Sequence, residues 1–169
     1  SHPIAGSEKS GLVASTPLLF DKRLTIVCPH EKNEEDDIKK IEAFWNNLGS
    51  LTKRLAANNH DELFAKTSHL PHVISYALMD SIFKDLSDEA FLYSGGSLES
   101  YTRIASSDPL MWKDIMIANE ESILESNENF NESLDILLEM LKKKDSQELI
   151  NFITDIKKSR DELLSDDKN

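Results

Sequence analysis

After Asn58, the apolar residues of this chain recur at the spacing of an α-helix with little interruption. One such stripe lies on a single predicted helix that ends near Lys84, and it consists of Leu63, Phe64, Leu70, Ile74, Ala77, Leu78 and Ile82. Pro71 lies within the stripe and removes a backbone donor, so we predict a kink or a break there, with His69 and His72 on either side. This pattern restricts most of the chain to a helical architecture.

Three more helices are predicted downstream. Asp108 is placed to cap a helix over 109–124 that has a proline in its first turn. Further helical patterns cover 134–141 and 150–164, and Asp145 with a glutamate three residues later is close to a capping box. The chain from residue 58 onward is therefore predicted to be almost entirely α-helical.

The first 57 residues carry a different pattern. A β-branched run over 23–28 predicts a strand that a proline stops. Asn33 is then predicted to cap a helix with an acidic first turn, and Gly49 is predicted to end it. A weaker strand pattern covers 51–55. Strand, helix and strand are typical of the end of an α/β unit, so we predict a mainly α fold with a small α/β segment in front.

The chain is strongly acidic, with 31 acidic and 19 basic residues and a formal net charge of −12. Such a surface repels phosphate backbones and anionic lipids, so we expect neither nucleic acid nor a membrane as a partner. The single cysteine, Cys28, ends an apolar run and is predicted to be a buried strand residue rather than a nucleophile. No apolar run approaches the roughly 20 residues needed to span a bilayer, so we expect a soluble protein. Because one cysteine forms no internal disulfide, we expect a reducing cytoplasm.

Three separated blocks of sequence carry the chemistry. The first covers 1–11 and contains His2-Pro3-Ile4-Ala5-Gly6. The second covers 67–72 and contains Ser68-His69-Leu70-Pro71-His72. The third is Gly95-Gly96 followed by the segment 101–112. Together, and in this order, they resemble the prephenate/arogenate dehydrogenase family of tyrosine biosynthesis. The resemblance extends over residues 2–119 and weakens beyond them.

The resemblance implies a domain organisation and a cofactor. Enzymes of that family begin with a nucleotide-binding domain that has a glycine-rich turn, but this sequence contains no Gly-x-Gly-x-x-Gly. We therefore expect a fragment in which residues 1–57 are the remnant of a Rossmann-type domain and residues 58–169 are a helical substrate-binding and dimerisation domain. NAD or NADP would be bound mainly by the missing domain, the fragment alone would be inactive, and the assembly would be a homodimer.

His2 is the catalytic residue that the resemblance implies. In the family, the histidine of His-Pro-x-x-Gly accepts the proton of the substrate hydroxyl, and a neutral imidazole is suited to that task. Without the resemblance, a histidine so near the start of a chain would more often be the remnant of a tag. The matched motif reverses that preference.

His72, His69 and Arg103 are the implied substrate-binding residues. His69 and His72 are three positions apart, so on a helix they face one side, and the resemblance places His72 in the pocket with His69 beside it. Arg103 is implied to clamp a carboxylate, because a guanidinium offers two parallel donors. Family members often carry an acidic residue three positions earlier, where this chain has Ser100 next to Glu99. Without the resemblance, His69 and His72 would lie on a polar helix face or be hydrogen-bonded core histidines. Arg103 would then be a surface arginine in a salt bridge.

Glu8, Lys9 and Asp61 are implied to form a polar network around the pocket entrance, while by themselves they would be solvated charges. A zinc site is a weaker alternative in the same region. Its ligands would come from His60, Asp61, His69 and His72. Because these residues complete neither a structural nor a catalytic ligand set, no metal is predicted.

The favoured function is the substrate-binding and dimerisation part of an NAD(P)-dependent dehydrogenase that oxidatively decarboxylates prephenate or arogenate. Tyrosine is a candidate feedback inhibitor. Two alternatives stay open. One is a non-enzymatic helical regulatory module that binds an aromatic amino acid, and the less favoured one is a metal-dependent His-Asp phosphohydrolase.

Overall fold

A computed structural model describes residues 1–6, 15–85 and 92–166, and it shows a small sheet followed by helices. The three-stranded sheet contains, in spatial order, β1 (His2–Pro3), β2 (Leu24–Val27) and β3 (Leu51–Arg54). β1 is antiparallel to β2, β2 is parallel to β3, and α1 (Glu35–Asn47) is the crossover between the two parallel strands. The predicted fold class, a helical chain preceded by a small strand–helix–strand segment, is confirmed.

Six further α-helices follow in the part of the chain that the structure describes. They are α2 (Ala57–Phe64), α3 (Leu70–Asp85), α4 (Gly96–Thr102), α5 (Pro109–Ala118), α6 (Glu120–Lys143) and α7 (Ser146–Asp166). A π-helical turn, Ala65–His69, joins α2 to α3, and a 3-10 turn, Arg103–Ser106, follows α4. None of the described helices combines the length and the apolar content needed to cross a bilayer.

A buried pair of hydroxyls connects β2 to the start of β3. Thr25 is fully buried, and its Oγ1 lies 2.6 Å from the Oγ of Ser50. Ser50 in turn donates to the carbonyl of Arg23 at 2.7 Å. Both hydroxyls are therefore hydrogen-bonded, as polar groups in a core must be. The apolar core of this region includes Ile26 of β2 and Ile38 of α1.

Cys28 corrects one prediction. It lies one residue beyond the end of β2 and is half-buried, so its assignment as a buried strand residue is wrong. Pro29 follows Cys28 and has no amide hydrogen with which to continue the ladder. Burial raises the pKa of the Cys28 thiol, which disfavours the reactive thiolate.

The start of α1 differs from the prediction, whereas its end agrees with it. The N-cap is Glu34, which makes no side-chain capping bond. The side chain of Asn33 instead accepts a hydrogen bond from the amide of His30 at 2.7 Å. The prediction of Asn33 as the cap is therefore wrong. Gly49 follows the helix at φ +87°, a conformation that glycine adopts at little cost. A Cβ there would lie 3.2 Å from the Cα of Asp21, so the Asp21 segment would also have to shift slightly.

The predicted interruption at Pro71 takes the form of the π-helical turn. Pro71 has no amide hydrogen and cannot donate the bond that a regular α-helix requires. The chain widens in the turn just before it, over Ala65–His69, and returns to α-helix at Leu70. Single π-helical turns occur frequently at functional sites. This one ends at His69, and His72 lies in the first turn of α3.

α5 begins as predicted but ends earlier. Asp108 caps it by accepting the amide of Met111 at 2.8 Å, and a proline occupies its first position. The prediction of one helix over 109–124 is wrong, because α5 ends at Ala118 and α6 begins at Glu120. Asn119 lies between them at φ −120°, and its buried side chain bonds to groups outside both helices. Those bonds explain the break.

The chain divides into two compact units. The first, Ser1–Ile123, holds the sheet and helices α1 to α5. The second begins at Leu124 and holds most of α6 together with α7. The predicted helices over 134–141 and 150–164 lie within α6 and α7, and Asp145 caps α7 by accepting a backbone amide at 2.9 Å.

Candidate functional site

His2 is held in place by the sheet. Its pairing in β1 sets it opposite Ile26 of β2, and the amide of Ile4 donates to the carbonyl of Leu24 at 2.7 Å just beyond the strand. Pro3 fixes its own φ and restricts the residue before it. His2 therefore has a defined backbone although it is the second residue of the chain.

His2 begins a chain of three hydrogen-bonded side chains. Its Nδ1 lies 2.8 Å from Nε2 of His60, and Nδ1 of His60 lies 2.8 Å from Oδ1 of Asp61. Phe64 packs against both imidazoles, with ring-centroid distances of 4.6 Å to His2 and 4.5 Å to His60. His2 and His60 are 58 positions apart in sequence, so their contact is a product of the tertiary structure.

Burial lowers the pKa of His2, and the nearby His60 adds to this effect when it is charged. A lowered pKa keeps the imidazole neutral at pH 7, the form that can accept a proton.

His60 enters the sequence-based predictions only as a ligand of the alternative zinc site. Among the residues with described positions, no group of three His, Cys, Asp or Glu is arranged to hold a metal ion.

His2 also lines a groove of about 520 Å³. The His-Pro-x-x-Gly segment contributes one part of its lining, and Phe64 of α2 with Thr67 and Ser68 of the π-helical turn contributes the other. The predicted network residues Glu8 and Lys9 lie outside the described residues. Asp61, the third member of that predicted network, is the one bonded to His60.

His69 is tied to the junction of α5 and α6. Nδ2 of Asn119 lies 3.0 Å from Nδ1 of His69, and the same nitrogen donates to the carbonyl of Asp61 at 2.8 Å. Because an amide nitrogen only donates, Nδ1 of His69 accepts and its proton is assigned to Nε2. Burial lowers the pKa of His69, and the nearby His60 contributes in the same direction. Asn119 thus joins His69 to the segment that carries His60.

His72 stacks on Trp112, with ring centroids 3.4 Å apart and planes inclined by 20°. Its Nδ1 donates to the carbonyl of Ser68 at 2.9 Å, so Nε2 carries the lone pair. The Oγ of Ser107 lies 3.5 Å from that Nε2, at the outer limit of hydrogen bonding, and itself donates to Ile104 at 2.8 Å. Burial lowers the pKa of His72. Its Nε2 therefore retains capacity to accept a bond from a ligand.

Arg103 lines a second and larger groove, of about 1120 Å³. Residues of α3 contribute to its lining, as do residues of α4 and of the 3-10 turn that follows. Glu99 and Ser100, where the sequence departs from the family pattern, line it too. Ser107 both lines this groove and contacts His72, so the groove extends to the edge of the histidine cluster.

Tyr76 is a site residue that the sequence patterns missed. It lines the groove of Arg103, and its ring centroid is 6.5 Å from that of His72. The hydroxyl oxygen is buried and has no hydrogen-bond partner within the described ranges. Burial raises the pKa of Tyr76, so the hydroxyl stays protonated. A buried donor without an acceptor is costly, and a ligand oxygen in the groove would satisfy it.

Comparison with known proteins identifies the family. Residues 1–53 match the model of the prephenate dehydrogenase nucleotide-binding domain, and residues 56–155 match that of the prephenate dehydrogenase dimerisation domain. This chain belongs to the prephenate dehydrogenase family. The predicted division into domains of residues 1–57 and 58–169 stays a prediction. The two compact units of the structure have a different boundary, after Ile123.

Two curated members of the prephenate dehydrogenase family show how much of such a protein this chain represents. It is 32% identical over 169 residues to the cyclohexadienyl dehydrogenase of Zymomonas mobilis, covering 98% of this chain and 58% of that protein. It is 27% identical over 164 residues to the prephenate dehydrogenase of Bacillus subtilis, covering 96% of this chain and 44% of that protein. The chain therefore spans about half the length of these relatives.

Two solved structures share the fold of this chain. The prephenate dehydrogenase of Aquifex aeolicus, in complex with hydroxyphenyl propionate and NAD+, superposes with a TM-score of 0.90 at 35% identity, over 96% of this chain and 57% of that one. The arogenate dehydrogenase of Synechocystis superposes with a TM-score of 0.81 at 21% identity, over 96% of this chain and 60% of that one. At 21% identity, the similarity to the Synechocystis structure shows a shared fold only.

Proposed function

We propose that this chain supplies the substrate-binding and proton-accepting part of an NAD(P)-dependent dehydrogenase that oxidatively decarboxylates prephenate or arogenate. The observation that supports the proposal is that His2 is a positioned, neutral imidazole at a groove. It lies on a defined sheet edge, burial lowers its pKa, and it lines a groove while its Nδ1 is engaged by His60. The names of the family members supply the class of substrate.

The proposed reaction requires a base at the substrate hydroxyl. Removal of that proton makes the ring carbon a better hydride donor, and a positioned base contributes about 10² to 10⁴ in rate. We assign this proton transfer to Nε2 of His2, while the ring carboxylate leaves as carbon dioxide and the ring becomes aromatic. When bound, the nicotinamide cofactor supplies the hydride acceptor. The chain has no Gly-x-Gly-x-x-Gly turn to hold its pyrophosphate, so we assign no cofactor contact to residues of this chain.

Substrate binding is assigned to the groove of Arg103. Both candidate substrates carry carboxylates, and a guanidinium binds a carboxylate with two parallel hydrogen bonds. The buried hydroxyl of Tyr76 and Nε2 of His72 are the neighbouring groups with capacity for a ligand. His69, held by Asn119, is assigned a bracing role beside them.

Binding and turnover together test the proposed function. In titration calorimetry with the 169-residue chain, we expect prephenate or arogenate to bind, and the tighter ligand identifies the substrate. We expect no reduction of NAD+ or NADP+ by the chain alone, because the pyrophosphate cradle is lacking. Binding of tyrosine without either substrate would favour the regulatory module instead. Cofactor reduction by the purified chain would contradict the expectation of an inactive fragment.

We also propose that the protein is a homodimer. The unit that begins at Leu124 exposes large apolar side chains along both of its helices. They are Leu124, Leu134, Ile136, Leu138, Leu141, Ile150, Ile153, Ile156, Leu163 and Leu164. Exposed apolar surface of this extent is typical of protein interfaces. The matched model of a dimerisation domain supports the same assembly.

The dimer should be evident in light scattering at micromolar concentration, with an interface of roughly 2,000 Å² or more. Ile153→Asp places a charge among the exposed apolar residues of α7 and should shift the protein to monomer. Thr154→Asp adds the same charge at the neighbouring exposed position and serves as the control. A wild-type chain that scatters as a monomer would contradict the proposed assembly.

A further inference from the structure

We propose that His60 and Asp61 hold His2 in the tautomer that carries its proton on Nδ1, which leaves Nε2 as the basic nitrogen. The use of that nitrogen in catalysis rests on the proposed function. The tautomer itself is a property of the resting protein and can be measured without substrate or cofactor. His60 and Asp61 are therefore positioning residues, since they act through His2.

The direction of the first hydrogen bond follows from Asp61. A carboxylate accepts hydrogen bonds but does not donate them, so the 2.8 Å contact requires the proton on Nδ1 of His60. The opposite tautomer of His60 would bring a nitrogen lone pair against a carboxylate oxygen at the same distance. In neutral His60, Nε2 therefore carries the lone pair.

The tautomer of His60 determines which nitrogen donates in the second hydrogen bond, between His60 and His2. Nε2 of His60 lies 2.8 Å from Nδ1 of His2, and one of the two nitrogens must supply the proton. Since Nε2 of His60 is the acceptor, Nδ1 of His2 is the donor. The Nε2 of neutral His2 then has no proton and can accept one.

The surroundings hold this arrangement in place. Phe64 packs against both imidazoles and partly shields the bond between them from water. Asn119 donates to the backbone carbonyl of Asp61 at 2.8 Å, which fixes the segment that carries the carboxylate. When His2 takes up a proton on Nε2, the carboxylate at the far end of the chain stabilises the positive charge.

Nitrogen NMR measures the tautomer directly. Long-range proton–nitrogen correlation spectra of the 169-residue chain, assigned with His2→Asn, should show the proton of His2 on Nδ1. In Asp61→Asn, the new amide can donate to Nδ1 of His60 and reverse both bonds, so the proton of His2 should move to Nε2. Glu62→Gln removes the charge of the next carboxylate on the exposed side of α2 and should leave the His2 signals unchanged.

His60→Phe is the second variant, in case Asp61→Asn perturbs folding. It keeps a ring of similar shape but removes the acceptor, so His2 should lose its preference for the proton on Nδ1. A wild-type chain with the proton on Nε2 of His2 overturns the proposal. A His2 tautomer that both variants leave unchanged overturns it as well.

Turnover by the full-length enzyme separates this inference from the proposed function. Asp61→Asn should lower kcat about tenfold or more with KM changed by less than about threefold, as expected when a base is held in the wrong tautomer. Asp61→Glu, which restores a carboxylate, should recover part of kcat. If the tautomer changes in Asp61→Asn while kcat does not, the role of His2 as base fails and the tautomer assignment stands. If His2→Asn abolishes turnover but wild-type His2 carries its proton on Nε2, the inference alone fails.

Discussion

Replacement of His2 by asparagine in the full-length enzyme is expected to lower kcat by about 10² to 10⁴ and to change KM by less than about threefold. The proton that His2 accepts moves only during the reaction, so the loss falls on the chemical step. Asparagine keeps a polar side chain next to His60 but has no basic nitrogen. Steady-state kinetics with saturating cofactor measure both constants.

The pH profile provides an independent check on His2. Only the neutral imidazole accepts a proton, so wild-type kcat should fall as pH decreases through the pKa of His2. Because burial lowers that pKa, the acid limb should lie below the ordinary value of 6.5. The titratable groups around His2 are His60, to which it is bonded, then Asp61 and His69. The limb should disappear in His2→Asn, and an unchanged kcat with a raised KM would show that His2 only binds substrate.

Replacement of Arg103 by alanine is expected to raise KM by about 10- to 100-fold with a much smaller change in kcat. A charge-assisted hydrogen bond contributes about 1.5 to 3 kcal/mol, and each 1.4 kcal/mol is about tenfold in affinity. A carboxylate clamp holds the substrate in the ground state and in the transition state alike, so its loss affects binding rather than chemistry. Titration calorimetry with the 169-residue chain measures the same loss as a weaker Kd.

Two further variants sharpen the test of Arg103. Arg103→Lys keeps the charge but loses the planar pair of donors, so its KM should lie between those of wild type and Arg103→Ala. Lys113→Ala removes a cation whose exposed side chain pairs with Asp114 on α5, and it should leave KM unchanged. A fall in kcat with constant KM in Arg103→Ala would place this arginine outside the substrate clamp.

The helical part of the fold was predictable because its signals are local. Gly49, Asp108 and Asp145 act on the helix end beside them, and each stands where the sequence pattern predicts. Pro71 likewise interrupts its helix through its own missing donor. The errors arose where a polar residue had two potential partners. Asn33 bonds to a turn rather than to a helix, and Asn119 ends a helix by bonding to groups far away in sequence.

The sequence by itself determined the helical architecture and, through three motifs, the family and the candidate residues His2, His69, His72 and Arg103. The tertiary structure alone decided how these residues are connected. His60 meets His2 across 58 positions because β1 and β3 both pair with β2 and α2, which carries His60, follows β3 directly. Tyr76 is left with an unsatisfied hydroxyl by the packing around it. Hydrogen-bond partners depend on distance in space, and neither periodicity nor motif spacing contains that distance.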